Sequence, residues 1–177
     1  MFFHGGWMHI VFNMFALYSF GMAIEYTLGS KRFFNFYFIC GLGAIALQML
    51  AQAIEVHSLI GSFTTSNPEI WYNQLPLPKA QQLYAIYNGP MVGASGAIFG
   101  LLIAFGMLYP NAELMILFIP VPVKAKYVIP VYILLELYLG FEQYSGDSVA
   151  HFAHLGGALI GFIVIKLWGI RRPNNFF

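Results

Sequence analysis

Five apolar runs, at about 6–28, 33–51, 93–108, 127–141 and 148–168, constrain this chain more than any other feature. Each is long enough, or nearly long enough, to cross a bilayer, and together they hold hardly any charge. In hydrocarbon every backbone polar group has to be satisfied within the protein, so the runs predict α-helices packed side by side. Composition agrees. With 59% hydrophobic residues, 8% charged residues and a mean hydropathy of +0.71, an ordinary soluble domain is excluded, and a net charge of +1 offers no footing for nucleic acid. The reading is an all-α membrane protein, one transmembrane helical bundle over 1–177. The single cysteine, Cys40, allows no disulfide within the chain.

The connections between the runs differ in kind. Gly29, Ser30, Lys31 and Arg32 make a short basic turn, and the first two runs form a tight hairpin around it. Residues 52–90 are polar and carry four prolines; at about 40 residues they exceed the usual connection length and predict a long extracytoplasmic loop with a short interfacial helix near 79–87. Residues 112–123 carry Pro120 and Pro122, which break a helix, and are expected to be an interfacial connection.

Sidedness follows from the basic residues. Threading the chain through five crossings puts Lys31, Arg32, Lys124, Lys126, Lys166, Arg171 and Arg172 on one side and Lys79 on the other, and the positive-inside rule makes the crowded side cytoplasmic. The first, third and fifth runs then begin on the outer side. Their outer ends carry His9 with Asn13, Ser95, and His154. Polar side chains inside membrane segments usually face the bundle interior and mark function, and here three segments supply them at similar depth.

Ser95 sits among small residues in Gly93-Ala94-Ser95-Gly96, with Gly100 one turn beyond Gly96. By itself such a stretch reads first as a packing seam, and otherwise as a surface that lets another helix bring a base to the hydroxyl. A serine needs that base, and donors for the oxyanion, before it can attack a carbonyl. His154, Gly157 and Gly161 share one helix face, so the imidazole is flanked by a groove that a second glycine-lined helix can enter. His151, one turn earlier, is expected to line the cavity near its mouth. Asp147 lies seven residues from His154, about 10 Å along a helix axis, so the expectation is a Ser-His dyad without an acid. His9 and Asn13 lie one turn apart on one face, either as interhelical glue or as part of the same site. Glu136 lies within the fourth run, where a carboxylate is costly unless paired, hydrated or neutral; the sequence does not name its partner. No cofactor or metal is called for.

The motifs Gly-Ala-Ser-Gly at 93–96, Ala-His-Leu-Gly-Gly at 153–157 and His-Gly-Gly-Trp-Met-His-Ile-Val-Phe-Asn at 4–13 resemble the signatures of the rhomboid intramembrane serine proteases, in that family's order. The resemblance implies a core of six helices, with Ser95 as nucleophile, His154 as general base, and His9 and Asn13 helping the Ser95 amide to form the oxyanion hole. Phe12 would line the entrance between the first and fourth crossings. The substrates it implies are transmembrane proteins, cut within or next to their spans in the lipid bilayer. The family has a further helix and a membrane-embedded loop before the His9 helix, so a truncated chain is expected, and with it the alternative of an inactive rhomboid-like binder of membrane proteins. A small transporter, suggested by Glu136 and the histidines, leaves the Ser95 context unexplained. A short chain without an organelle-type presequence is compatible with a bacterial inner membrane, its site facing the extracytoplasmic side.

Overall fold

The computed structural model describes residues 3–91, 93–116, 119–142 and 150–173. Among them are seven helices and one two-stranded sheet: α1 (Trp7–Leu28), α2 (Ser30–Ile60), α3 (Pro68–Tyr72), α4 (Leu77–Asn88), α5 (Ser95–Leu108), β1 (Glu113–Ile116), β2 (Ile119–Lys124), α6 (Ala125–Glu142) and α7 (His151–Leu167). The all-α bundle expected from the apolar runs is present. The chain divides into two compact units, Met1–Leu47 with Val92–Phe177, and Gln48–Met91.

In the first unit α5 is the centre. Its residues 96–102, and Ala104, Phe105 and Leu108 after them, are all buried, as expected of a helix that is apolar all round and must be covered on every side. It packs against α7, α1 and α6. At 14 residues it is about 21 Å long, shorter than the hydrocarbon thickness of about 30 Å, so one end stops within that depth. The approach of α7 to α5 is set by glycines. A Cβ on Gly157 would land on the Gly96 carbonyl, and one on Gly161 would lie 2.7 Å from the Gly100 oxygen and 2.8 Å from its Cα. The two glycine lines read from the sequence therefore face each other backbone to backbone, the close contact that small residues allow in membrane bundles. Beneath this seam Ile24, Phe36, Cys40, Leu101 and Ile165 fill the core.

The outer helices are built inside out. On α1 the buried residues are Asn13, Gly21, Ile24 and Leu28, while Trp7, Phe12, Phe15, Tyr18, Met22 and Tyr26 are exposed. On α6 Glu136 is buried, and Leu134, Leu135, Leu137 and Tyr138 face outward. An exterior of this kind suits acyl chains rather than water. By length and composition α1 and α2 can each cross a bilayer, and α5 and α7 are shorter apolar helices.

Three connections differ from expectation. The turn after α1 is one residue, Gly29 at φ +76°, whose N–H bonds the Glu25 carbonyl; Ser30, Lys31 and Arg32 already belong to α2, because glycine alone can reverse the chain there. α2 runs to Ile60, nine residues past the expected end at Ala51, because polarity alone does not stop a helix and no glycine or proline lies between Ala51 and Gly61, which is at φ +73°. In place of an irregular interfacial connection, β1 and β2 pair antiparallel, Glu113 with Lys124, Leu114 with Val123 and Ile116 with Ile119. Pro120 and Pro122 lie in β2 between the partners of Ile116 and Leu114, where the register shifts, and an edge strand with such an irregularity tolerates proline. The last helix starts at His151; the expected start at Ser148 lies outside the described residues.

In the second unit, the stretch expected as a long loop is ordered around the end of α2 with α3 and α4. Val56, Ala80 and Leu83 are buried, Tyr87 accepts the Thr65 N–H at 2.9 Å, and Gln82 donates to Glu55 at 3.3 Å. The interfacial helix expected near 79–87 falls within α4.

Candidate active site

Ser95 is the first residue of α5, preceded by Gly93 at φ +109°, a conformation that favours glycine. The first intrahelical bond runs from the Ile98 N–H to the Ala94 carbonyl, so the amides of Ser95, Gly96 and Ala97 precede the ladder and point back toward the serine end. A helix N-terminus of this kind favours developing negative charge.

His154, buried on α7, comes to Ser95 across the glycine seam. Its Nε2 lies 2.8 Å from Ser95 Oγ, and its ring stacks on Phe99, with centroids 4.2 Å apart and planes 8° apart. Phe99 is four residues after Ser95, on the helix face that meets α7, and that spacing was the one signal of its role in the sequence.

Behind the imidazole the expectation fails. In place of a dyad without an acid, Glu136 of α6 puts Oε2 2.8 Å from His154 Nδ1 and 2.7 Å from His151 Nδ1, all three side chains being buried. A carboxylate oxygen only accepts, so both rings donate from Nδ1, and His154 presents a lone pair at Nε2 to the serine. Asp147 lies outside the described residues. Glu136, His151 and His154 also form a group of donors able to hold a metal ion. Two ligands on a tetrahedral zinc stand about 3.3 Å apart, given bonds of roughly 2.0–2.1 Å. The observed 2.7 and 2.8 Å are hydrogen-bond separations.

On the other side of Ser95, His9 accepts the Gly5 N–H at Nδ1, 3.2 Å away, so a neutral ring carries its proton on Nε2. A Cβ built on Gly93 would lie 2.7 Å from that Nε2 and 3.6 Å from Ser95 Oγ, so the donor and the hydroxyl flank one point. Asn13 is buried, donates Nδ2 to the His9 carbonyl at 2.7 Å, and leaves Oδ1 buried without a hydrogen-bond partner among the described residues. His4 stands edge-on against His9, with centroids 5.4 Å apart. Phe12 is half exposed on the outward side of α1, while α1 itself packs against α5.

A serine at the head of a buried helix, a histidine brought to it by a glycine seam and outer helix faces suited to lipid occur together in this bundle. The chain belongs to the rhomboid family: the model of the Rhomboid domain matches residues 1–170. It is similar to the mitochondrial Rhomboid protein 1 of Saccharomyces cerevisiae, 31% identical over 176 residues, which cover 96% of this chain and 40% of that protein. It is also similar to the Rhomboid protease AarA of Providencia stuartii, 28% identical over 170 residues, 93% of this chain and 52% of that protein. A third relative is the chloroplastic Rhomboid-like protein 11 of Arabidopsis thaliana, 29% identical over 170 residues, 93% and 49% of the two chains. The chain thus spans about half the length of the curated relatives it matches. No solved structure matches it. The family is integral to membranes; the expected bacterial inner membrane finds no support in relatives named mitochondrial and chloroplastic.

Proposed function

We propose that this chain is an intramembrane serine endopeptidase that cuts the transmembrane segments of other membrane proteins, with Ser95 as nucleophile and His154 as general base. The observation that carries the reading is the 2.8 Å contact between Ser95 Oγ and His154 Nε2. His154 takes the hydroxyl proton as Oγ attacks the peptide carbonyl, and then gives it to the leaving amine. Water hydrolyses the acyl-enzyme by the reverse proton route. The tetrahedral oxyanion is held by the Ser95 amide at the head of α5, by the Nε2–H of His9 and by the Asn13 side chain. A substrate helix has to unwind locally to expose a carbonyl, so small or helix-breaking residues near the cut are expected.

The test is labelling of the purified chain in detergent with a fluorophosphonate. An adduct on Ser95 that is lost in His154→Ala supports the reading. A folded chain that takes no adduct refutes it and leaves a rhomboid-like binder.

A further inference from the structure

We propose that Glu136 and His151 are positioning residues for His154, forming with it a carboxylate-bridged pair of imidazoles; this rests on the reading of Ser95 and His154 given above. A buried carboxylate is costly unless its lone pairs are used, and Glu136 is 4% exposed, with the apolar Leu134, Leu135 and Leu137 turned outward beside it. Both of its bonds through Oε2 go to Nδ1 atoms of α7, from residues one turn apart on a single face, His151 and His154. The approach of the two helices is prepared by a second small residue on α6. Gly140, one turn after Glu136, is where an added Cβ would come 3.2 Å from His151 Cβ.

The bridge fixes three things about the base. It holds the His154 proton on Nδ1, so that Nε2 accepts from Ser95; the other tautomer would aim an N–H at the hydroxyl and could not take its proton. It opposes rotation of the ring, whose plane is already set by stacking on Phe99. When His154 takes the serine proton it becomes an imidazolium facing a carboxylate at 2.8 Å, so the charge formed during attack is met by an oriented partner. His151 holds that partner: its N–H to the same oxygen keeps the Glu136 side chain from swinging away as the charge forms. No proton leaves Glu136 or His151 in this scheme. The proton moves between Ser95 Oγ and His154 Nε2 only.

The experiment compares the full chain with Glu136→Gln and His151→Gln in detergent micelles, by three readouts. The rate of fluorophosphonate addition to Ser95 is expected to fall on the order of 10²- to 10⁴-fold in Glu136→Gln and by a smaller factor in His151→Gln. With a single-span peptide substrate kcat should fall and KM stay unchanged, a split that general loosening of the bundle would not give. Nitrogen NMR of the unmodified chain with labelled histidine should show His154 protonated at Nδ1 and bare at Nε2. Wild-type labelling rates in Glu136→Gln overturn the proposal. So does a His154 protonated at Nε2 in the unmodified chain, a result that does not depend on whether any variant folds. If the unmodified chain itself takes no Ser95 adduct, the catalytic reading falls; if it labels and Glu136→Gln labels as fast, only the positioning role falls.

Discussion

Asn13 is buried on α1, a helix whose exposed side is apolar, and it spends its amide N–H on the His9 carbonyl, leaving Oδ1 with no partner among the described residues. A buried acceptor left open costs roughly 1–3 kcal/mol. A half-turn of the amide would place an N–H where Oδ1 stands, so the side chain can serve as a donor once an oxyanion offers a better acceptor than the helix does. Asn13→Ala is therefore expected to lower kcat/KM by about 10²–10³-fold, near 2.7–4 kcal/mol, with Ser95 still labelled, whereas Ser95→Ala abolishes labelling altogether. A mutant kcat/KM equal to wild type removes Asn13 from the oxyanion hole. Ser95, His154, His9 and Asn13 could be picked out in the sequence because a polar side chain is conspicuous in an apolar run. Glu136 was conspicuous for the same reason, but its partner was not legible. Which α7 residues meet it depends on the register between two helices, and sequence spacing does not fix that register.

At the scale of elements, the α5–α7 seam decides whether a site exists. Both helices contribute glycines at four-residue spacing, and the backbones touch where Gly157 meets Gly96 and Gly161 meets Gly100. Gly157→Val has no space to enter, because the group it strikes is main chain and cannot swing aside. Overpacking of this sort typically costs about 1–3 kcal/mol, and here it also moves His154 away from Ser95. A lower thermal midpoint in detergent together with loss of Ser95 labelling is the expected outcome, while Gly6→Ala, with open space around the added methyl, should change neither. A Gly157→Val chain that keeps the wild-type midpoint and labelling would show that the seam is not what joins the two residues. The seam itself was readable, since glycine spacing on a helix is a sequence property. The length of α2 and the pairing of β1 with β2 were not: the first runs past its apolar stretch to Gly61, and the second takes up Pro120 and Pro122 within a register shift.

Among the described residues the outward faces of α1 and α6 are largely apolar while Asn13, Glu136, His151 and His154 are buried, an arrangement suited to a lipid surround. The family assignment over residues 1–170 agrees with an integral membrane setting. The asymmetry of basic residues then predicts an orientation that can be measured. In sealed vesicles with the extracytoplasmic face outward, cysteines introduced as His4→Cys should react with a membrane-impermeant maleimide, while Lys31→Cys and Lys124→Cys should react only after permeabilisation. The native Cys40 is buried and should stay silent throughout. Reaction of Lys31→Cys or Lys124→Cys in sealed vesicles would overturn the assigned sidedness.

The amino-acid order by itself determined that the chain is helical and lives in a bilayer, and it singled out the side chains too costly to bury there without a task. Those are properties of local composition and of helical period, which short windows carry. Only the tertiary structure decided that Nε2 of His154 faces the serine while Nδ1 faces Glu136, and that His151 shares that carboxylate. Such pairings are settled by how far one helix slides and turns against another, down to the width of a methyl group.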